Sequence, residues 1–407
     1  MFEQYKGLRR ELYVLFIGRV MTNLGSMIWP MMTLILNKKL GMNASQVANC
    51  LLIFSLMSIP VSLFGGKLTD SFNKRNIIIV CDLASVICFL VCGFIPLSIV
   101  SVILFAVAGL FQTVEWPAFD ALVADFTLPS DRQRAYSLSY FGTNLGLMLA
   151  PTIGGLLFNK YLNIAFIING LAILSSTLLI FFLIKDVSKE ESEEDVNEYE
   201  AELDSGTSSF KYLFSNRVLR IYLLAVTLYS VTYNPYSFLM PIELACQYAE
   251  KGSVIYGTLS SVNCITVVLL TALLTRLLSR VLETRKFILG LACVLAGMVM
   301  FKLLLAYPAA IYAAIVIFTI GEIVTTLGGS PFITKRIPAN YRGRISSIIN
   351  VLGSIVVSLF MKVVGHVYDV RGSLSAWLLV YMIGAAGIIT FICMSVIDRK
   401  EYPGLYK

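Results

Sequence analysis

Apolar runs recur along the whole chain, separated by short stretches in which charged residues, glycine and proline gather. Each run has about 20 residues, enough to cross the ~30 Å hydrocarbon layer of a bilayer as a helix. Twelve such spans are predicted: 12–36, 45–66, 76–96, 98–124, 134–158, 163–184, 218–243, 254–276, 286–306, 308–332, 344–368 and 373–397. The pattern therefore predicts an all-α integral membrane protein.

The composition agrees with lipid as the main solvent of this chain. Of 407 residues, 57% are hydrophobic and only 14% are charged, and the mean hydropathy is +0.79. A soluble protein of this length has too little interior to hide so much apolar surface. The lipid bilayer is therefore a predicted partner.

Basic residues predict the orientation. If the N-terminus is cytoplasmic, 24 of the 32 Lys and Arg residues fall in segments on the inner side. Such a bias follows the positive-inside rule. Both termini are expected in the cytoplasm, and the compact loops fit a bacterial plasma membrane. The formal net charge of +7 then reflects membrane orientation, and no nucleic-acid partner is expected.

An acidic stretch divides the chain into two similar parts. Ten of the 25 acidic residues lie in 186–204, a composition that cannot bury a core. Around it the two parts match at an offset of 211, as Asn23 with Asn234 and Pro30 with Pro241. Two pseudo-symmetric six-helix bundles, 1–184 and 217–407, are predicted, joined by a cytoplasmic linker at 185–216.

The turn between predicted spans 2 and 3 carries a motif. It reads GGKLTDSFNKR, in which Gly66, Leu68, Asp70 and Arg75 resemble the loop signature of the major facilitator superfamily. The resemblance implies a transporter with the twelve-helix fold of that family. It also implies a conformational latch on the cytoplasmic side, formed by Gly65, Gly66, Asp70, Arg75 and Asp125.

Predicted span 5 carries a second motif. The segment GTNLGLMLAPTIGG resembles the antiporter motif of the same family at Gly146, Pro151, Gly154 and Gly155, with Ala150 in place of a glycine. Small residues permit close helix packing, and proline permits bending. The motif implies export and a likeness to the drug:proton antiporter branch, although the arginine usual on the fourth helix of that branch is missing.

Charges within the spans are costly and are therefore functional candidates. Glu322, Glu115 and Arg19 are predicted to couple transport to protons, with fixed ion pairs as the structural alternative. Lys302 and Glu243 are expected to reach the outer surface. Asp82 is expected to support the Gly65–Arg75 turn.

A cargo cavity is predicted from aromatic and polar residues near helix-bending prolines. The candidates are Asn23, Trp29, Tyr233, Asn234, Tyr236 and Lys362. Aromatic faces suit amphipathic or cationic organic molecules, although such residues also pack in cores or anchor helices at the membrane interface.

The predicted function is proton-coupled efflux of small amphipathic organic compounds by alternating access. A proton symporter or facilitator that imports a nutrient is one alternative, and a membrane sensor or scaffold that signals through the acidic linker is another. No catalytic or nucleotide-binding motif is present, so an enzyme is not expected. Partners are a small-molecule substrate and protons, no cofactor or metal is expected, and a monomer is favoured.

Overall fold

The computed structural model describes residues 5–127, 131–184, 209–337 and 339–406. Residues 185–208, most of the predicted acidic linker, lie outside these ranges, and so does the side chain of Asp70. The described N-terminal helices are α1 Arg10–Gly25, α2 Ile28–Leu34, α3 Ala44–Ser71, α4 Lys74–Phe94, α5 Ile99–Asp125, α6 Arg132–Leu147, α7 Ala150–Leu157 and α8 Leu162–Leu183.

The C-terminal part of the chain is also helical throughout its described residues. Its helices are α9 Ser209–Ser215, α10 Arg217–Tyr233, α11 Leu239–Tyr248, α12 Gly252–Leu277, α13 Glu283–Leu303, α14 Pro308–Arg336, α15 Ala339–Arg371 and α16 Ser373–Glu401. A short 3₁₀ turn, Pro403–Tyr406, follows α16.

Helix length and hydropathy identify a multi-pass membrane protein. Within the described residues, ten continuous helical segments are long and apolar enough to cross a membrane. One of them, Arg217–Leu277, has 61 residues and contains predicted spans 7 and 8. Predicted span 5 corresponds to α6 and α7 together. Each of the twelve predicted spans therefore coincides with a helix or a pair of helices.

Three predicted spans are interrupted. Span 1 breaks between Gly25 and Ile28, span 5 breaks just before Pro151, and span 7 contains a 3₁₀ turn at Asn234–Tyr236. Proline lacks the backbone N–H that a helix interior requires, which explains the breaks next to a proline. The breaks in spans 1 and 7 lie at corresponding points of the two repeats.

The contacts divide the chain into two compact units. Unit 1 consists of Met1–Gly41, Ile53–Asp195 and Leu244–Ile265, and unit 2 consists of Met42–Leu52, Val196–Glu243 and Thr266–Lys407. This division differs from the predicted bundles, because the start of α3 belongs to unit 2 and the end of α11 with the first half of α12 belongs to unit 1.

The same packing order recurs in both units. In unit 1, α4 packs on α5 and α8, while α1 packs on α6 and α8. In unit 2, α13 packs on α14 and α16, while α10 packs on α15 and α16. Each unit has an apolar core, centred on residues such as Leu15 and Phe119 in unit 1 and Leu219 and Phe391 in unit 2. A duplicated chain produces this repetition.

Candidate functional site

A buried arginine in unit 1 lies beside two carboxylates. The guanidinium of Arg19 on α1 is 3.7 Å from Oε1 of Glu115 and 3.8 Å from Oδ1 of Asp120, both on α5. Arg19 and Glu115 are only 3% and 6% exposed, whereas Asp120 is exposed. The buried guanidinium therefore faces one buried acid and one that is open at the surface of the unit.

Aromatic rings complete the surroundings of Arg19. Its guanidinium carbon lies 4.8 Å from the centre of the Trp116 ring and 3.9 Å from the centre of the Phe119 ring. Cations are attracted to the faces of aromatic rings, more strongly where water is excluded. The Trp116 and Phe119 rings therefore stabilise the buried positive charge of Arg19, which purely aliphatic neighbours would not do.

The polar contacts of Arg19 are loose. Both ion-pair distances exceed that of a hydrogen bond, and within the described part of the chain its guanidinium donates no hydrogen bond. A guanidinium has five N–H donors in a fixed planar arrangement. Arg19 is therefore held by charge and ring contacts, and its donors remain open to another partner.

A third acid belongs to the same group. Asp82 on α4 is 5% exposed, accepts a 2.8 Å hydrogen bond from the hydroxyl of Thr177 on α8, and lies within electrostatic reach of Glu115 and Arg19. It thus contacts α8 instead of the Gly65–Arg75 turn. We call Arg19, Asp82, Glu115 and Asp120 the Arg19 cluster, in which acids outnumber the single base.

Unit 2 holds an aromatic group around Glu322. The Tyr233 ring lies 5.0 Å from the Phe318 ring and 6.1 Å from those of Tyr229 and Tyr236, and Tyr236 also lies 5.0 Å from Phe318. The Tyr233 hydroxyl is within hydrogen-bonding reach of Glu322, which is half-buried on α14. These five residues, the Glu322 cluster, combine π faces with one carboxylate.

The other predicted cavity residues are placed separately. In unit 1, Asn23 donates a 2.8 Å hydrogen bond to the backbone oxygen of Arg19, and Trp29 donates a 3.1 Å hydrogen bond to Gln112. In unit 2, Asn234 donates a 3.1 Å hydrogen bond to the backbone oxygen of Ser230 at the helix break, and Lys362 is exposed on α15. Of the six, Tyr233 thus lies within reach of Glu322, and Tyr236 belongs to the same aromatic group through Phe318.

The predicted latch contains an ion pair that the sequence analysis did not name. Asp125 at the end of α5 is 2.6 Å from the ammonium of Lys74 at the start of α4. Arg75 donates a 2.6 Å hydrogen bond to the backbone oxygen of Phe181 on α8. The resemblance assigns Asp125 to a cluster with Asp70 and Arg75, and the structure adds Lys74 as a partner of Asp125. The side chain of Asp70 lies outside the described part of the chain, so the cluster stays a prediction.

The glycines of the latch differ from each other. A Cβ at Gly65 would lie 3.1 Å from the Cα of Val114, so α3 approaches α5 closely there. A Cβ at Gly66 would meet nothing within 4 Å. Only the first of the two glycines is thus required by packing in this conformation.

Unit 2 has an ion pair at the equivalent place, with the charges exchanged. Glu283 at the start of α13 is 2.6 Å from Lys335 at the end of α14. Beside it, Arg336 makes a two-pronged contact of 2.6 Å and 2.5 Å with Asp398 of α16. None of these four residues is among the candidates predicted from the sequence.

Another missed ion pair lies near the start of α16. Lys302 is 2.6 Å from Glu243, which is 4% exposed, and 2.5 Å from the hydroxyl of Ser373. Both charged residues had been expected to reach the outer surface. Their pairing within unit 2 corrects that expectation, because a buried carboxylate is far more stable beside a cation.

The antiporter-like motif forms close helix contacts in unit 1. A Cβ at Gly146 would lie 2.6 Å from the backbone oxygen of Val20, and one at Gly154 would lie 2.8 Å from that of Met27. A Cβ at Gly155 would lie 2.5 Å from the backbone oxygen of Ser253, while Pro151 is in the first turn of α7. Small residues at these positions let backbones pack directly against each other.

The described residues contain no group of three or more His, Cys, Asp or Glu that could hold a metal ion.

Comparisons with known proteins agree with this architecture. Residues 14–361 match the family described as the Major Facilitator Superfamily. A Na(+), Li(+), K(+)/H(+) antiporter of Planococcus maritimus is 22% identical over 83% of this chain and 85% of its own length. The MFS-type transporter YttB of Bacillus subtilis is 23% identical over 94% of this chain and 95% of its own length.

Solved structures show the same fold. A POT family transporter in complex with 5-aminolevulinic acid superposes with a TM-score of 0.77 at 13% identity, over 99% of this chain and 98% of that one. The nucleoside transporter NupG superposes with a TM-score of 0.73 at 11% identity, over 96% of this chain and 100% of that one. With a family match across most of its length and this fold, the chain belongs to the major facilitator superfamily and is a membrane transporter, not an enzyme.

Proposed function

We propose that this transporter exports small amphipathic organic compounds, with a preference for cations, in exchange for protons. The observation that carries the proposal is the buried Arg19 cluster, in which one loosely held guanidinium faces more acids than it can neutralise. An ionisable group within a membrane span is functional by default because of its cost.

Protonation of Glu115 has a large effect on Arg19. At an effective dielectric constant of about 20, opposite charges 3.7 Å apart attract each other by roughly 4 kcal/mol. Loss of that attraction changes the equilibrium between pairing of Arg19 with Glu115 and pairing with Asp120 by a factor on the order of 10³. A proton on Glu115 thus releases the guanidinium toward Asp120, which is the kind of two-state element that a coupled transporter needs.

The Glu322 cluster suits the cargo. Its tyrosine and phenylalanine rings offer flat apolar faces, and its carboxylate offers a negative charge beside them. Aromatic faces with a nearby carboxylate are suited to cationic organic molecules. A neutral amphipathic molecule would still gain the ring contacts, but it would leave Glu322 without a counter-ion.

The direction of transport rests on the antiporter-like motif at Gly146, Pro151, Gly154 and Gly155. Its resemblance to the motif of exporters is the reason to propose efflux. The close contacts of these glycines in unit 1 explain why the motif requires small residues at Gly146, Gly154 and Gly155.

The proposal can be tested in proteoliposomes with an acidic lumen that contains a pH-sensitive dye. Addition of tetraphenylphosphonium outside is expected to raise the lumenal pH as cargo enters and protons leave. Glu115→Gln and Glu322→Gln are both expected to abolish this response. Glu401→Gln, an exposed acid at the end of α16, is the matched control and is expected to retain it. A wild-type response equal to that of protein-free liposomes would overturn the proposal.

A second candidate is exchange of a monovalent metal cation for protons. It is favoured by the named activity of the Planococcus maritimus relative and by the excess of acids around Arg19. The same liposomes distinguish the two candidates when Na⁺, Li⁺ or K⁺ is added in place of the organic cation. A response to metal cations alone would favour the second candidate.

A further inference from the structure

Unit 1 contains a cavity of about 350 Å³, and its wall includes no residue of the Arg19 cluster or the Glu322 cluster. It is lined by the end of predicted span 1, the end of α7 and the turn between α11 and α12, with Leu34, Lys38, Lys39, Phe158, Asn159 and Glu250 in its wall. The basic-residue count predicts this face to be the outer one. A volume of this size lies at the lower end of the range of small-ligand sites, about 300–1,000 Å³.

The backbone around the cavity is irregular at two independent places. Residues Ile35–Lys39 form a π-helical turn, which is rare and frequently occurs at functional sites. Ala249, also in the wall, has a φ of 47°, in the left-handed region that a residue with a Cβ seldom adopts. Such conformations cost of order 1–3 kcal/mol and persist where the surroundings require them.

A hydrogen-bonded chain links the three parts of the wall. The ammonium of Lys39 donates a 2.8 Å hydrogen bond to the backbone oxygen of Asn159 and lies 5.2 Å from the centre of the Phe158 ring. The Asn159 side chain donates a 2.7 Å hydrogen bond to the backbone oxygen of Glu250. The position of the Lys39 charge is therefore defined by a neutral acceptor and a ring, not by a carboxylate.

The charge in the wall is positive. Lys38, exposed like Lys39, has its ammonium 3.9 Å from the sulfur of Cys246, a weak contact that leaves its charge uncompensated there. With Glu250 included, the wall carries two positive charges and one negative charge. The excess of one positive charge suits a ligand with a single negative charge, and the apolar side chains Leu34 and Phe158 suit a ligand with some apolar surface.

From these observations we propose that the cavity binds a phosphodiester monoanion between Lys38 and Lys39. Lysine binds phosphate as a point charge and does not need the fixed geometry of an arginine. The cavity lies where an apolar run of 30 residues, Arg10–Lys39, ends in two lysines, which is the level of lipid headgroups. The headgroup of phosphatidylglycerol has this chemistry, and so does a free phosphodiester in solution.

The test uses the purified full-length protein after delipidation in a neutral detergent. Glycerophosphoglycerol, the headgroup without acyl chains, is titrated calorimetrically, and retained phosphatidylglycerol is measured by native mass spectrometry against phosphatidylcholine. The variants are the double substitutions Lys38→Gln with Lys39→Gln and Lys38→Arg with Lys39→Arg. Lys160→Gln is the matched control, since Lys160 is exposed next to Asn159 but not in the wall.

The double glutamine variant is expected to bind the phosphodiester about tenfold more weakly or worse, since each lysine supplies a charge-assisted hydrogen bond. The double arginine variant and Lys160→Gln are expected to bind as the wild type does. Binding of glycerophosphoglycerol would identify the ligand of the cavity as a free phosphodiester. Retention of phosphatidylglycerol without binding of glycerophosphoglycerol would identify it as a lipid. If the double glutamine variant does not fold, Lys38→Gln alone carries the test. Equal binding by wild type and glutamine variants, or none by either, would overturn the proposal.

Discussion

The contact between α7 and the start of α12 allows a substitution to be predicted from distances. In Gly155→Ala the new Cβ would lie 2.5 Å from the backbone oxygen of Ser253 and 3.0 Å from the Cα of Val254. The first distance is shorter than any real Cβ contact, and both neighbours are backbone atoms that cannot rotate away. The hydroxyl of Ser253 also donates a 3.2 Å hydrogen bond to the Gly155 oxygen, which a shift would stretch.

Gly66→Ala is the matched control, because it is the same substitution within a helix and its Cβ would meet nothing within 4 Å. Alanine is favoured over glycine in a helix by roughly 0.5–1 kcal/mol, and this gain is similar in both variants. The difference between them is therefore the cost of overpacking, typically about 1–3 kcal/mol. Gly155→Ala is expected to be less stable than Gly66→Ala by that amount.

Reversible unfolding by SDS in mixed micelles, followed by circular dichroism, measures the free energy of unfolding of both variants. The transport rate of the folded fraction is measured in parallel, and it is expected to be lower for Gly155→Ala than for Gly66→Ala. Equal free energies of unfolding of the two variants, within about 0.5 kcal/mol, would contradict this prediction. That result would mean that α7 and α12 are not in direct backbone contact in the membrane.

Three further substitutions test other parts of the structure. Asp398→Asn is expected to lower the free energy of unfolding by about 3 kcal/mol, because the buried Arg336 loses its two-pronged carboxylate partner and keeps a 3.9 Å contact with the carboxylate of Glu283. Lys335→Gln, whose side chain is half exposed, is expected to cost less than about 1 kcal/mol. Similar losses in the two variants would contradict this. Tyr233→Phe removes the hydroxyl next to Glu322 and is expected to raise the KM for a cationic cargo about fivefold; an unchanged KM would count against the cargo site. Burial, followed by the hydrogen bond to Asp398, raises the pKa of the Tyr406 phenol above 10.0. The neutral phenol therefore contributes its full stabilisation below about pH 10, and this contribution is lost as the pH rises through the pKa of the folded state. In Tyr406→Phe the free energy of unfolding is expected to depend less on pH above pH 10 than in the wild type. An unchanged pH dependence would show that Tyr406 does not contribute in this way.

The spans of this protein could be predicted from its sequence because lipid imposes one simple requirement. Every crossing segment needs an apolar length of about 20 residues with its backbone bonded internally. Proline was a less reliable guide. The chain breaks next to Pro151 and Pro235, but Pro60, Pro117 and Pro331 lie inside continuous helices. In a bundle, neighbouring helices can satisfy the groups that proline frees, so its effect depends on tertiary contacts.

The partners of charged residues were harder to predict. Arg19 and Glu115 were both recognised because each is a charge within a predicted span. Asp120 was missed because it lies close to the predicted inner end of its helix, where an acid has no evident cost. Its position near Arg19 depends on the relative register of α1 and α5, which the sequence does not contain.

The ion pairs at the helix ends illustrate the same limit. Lys74 and Arg75 are adjacent on α4, and a rotation of about 100° around the helix axis decides which of them reaches Asp125. Glu243 and Lys302 are 59 positions apart on different helices, so their pairing is a product of packing within unit 2. The resemblance to a family motif could not supply these contacts.

In the function proposed above, coupling to protons belongs to the Arg19 cluster in unit 1, while the Glu322 cluster in unit 2 binds the cargo. The most direct test compares two activities of Glu115→Gln in proteoliposomes with radiolabelled tetraphenylphosphonium. Exchange of labelled for unlabelled cargo needs no net movement of protons, and the variant is expected to retain it at the wild-type rate. Accumulation driven by a pH gradient is expected to be lost. Loss of both activities, or retention of both, would contradict the separation of coupling from cargo binding.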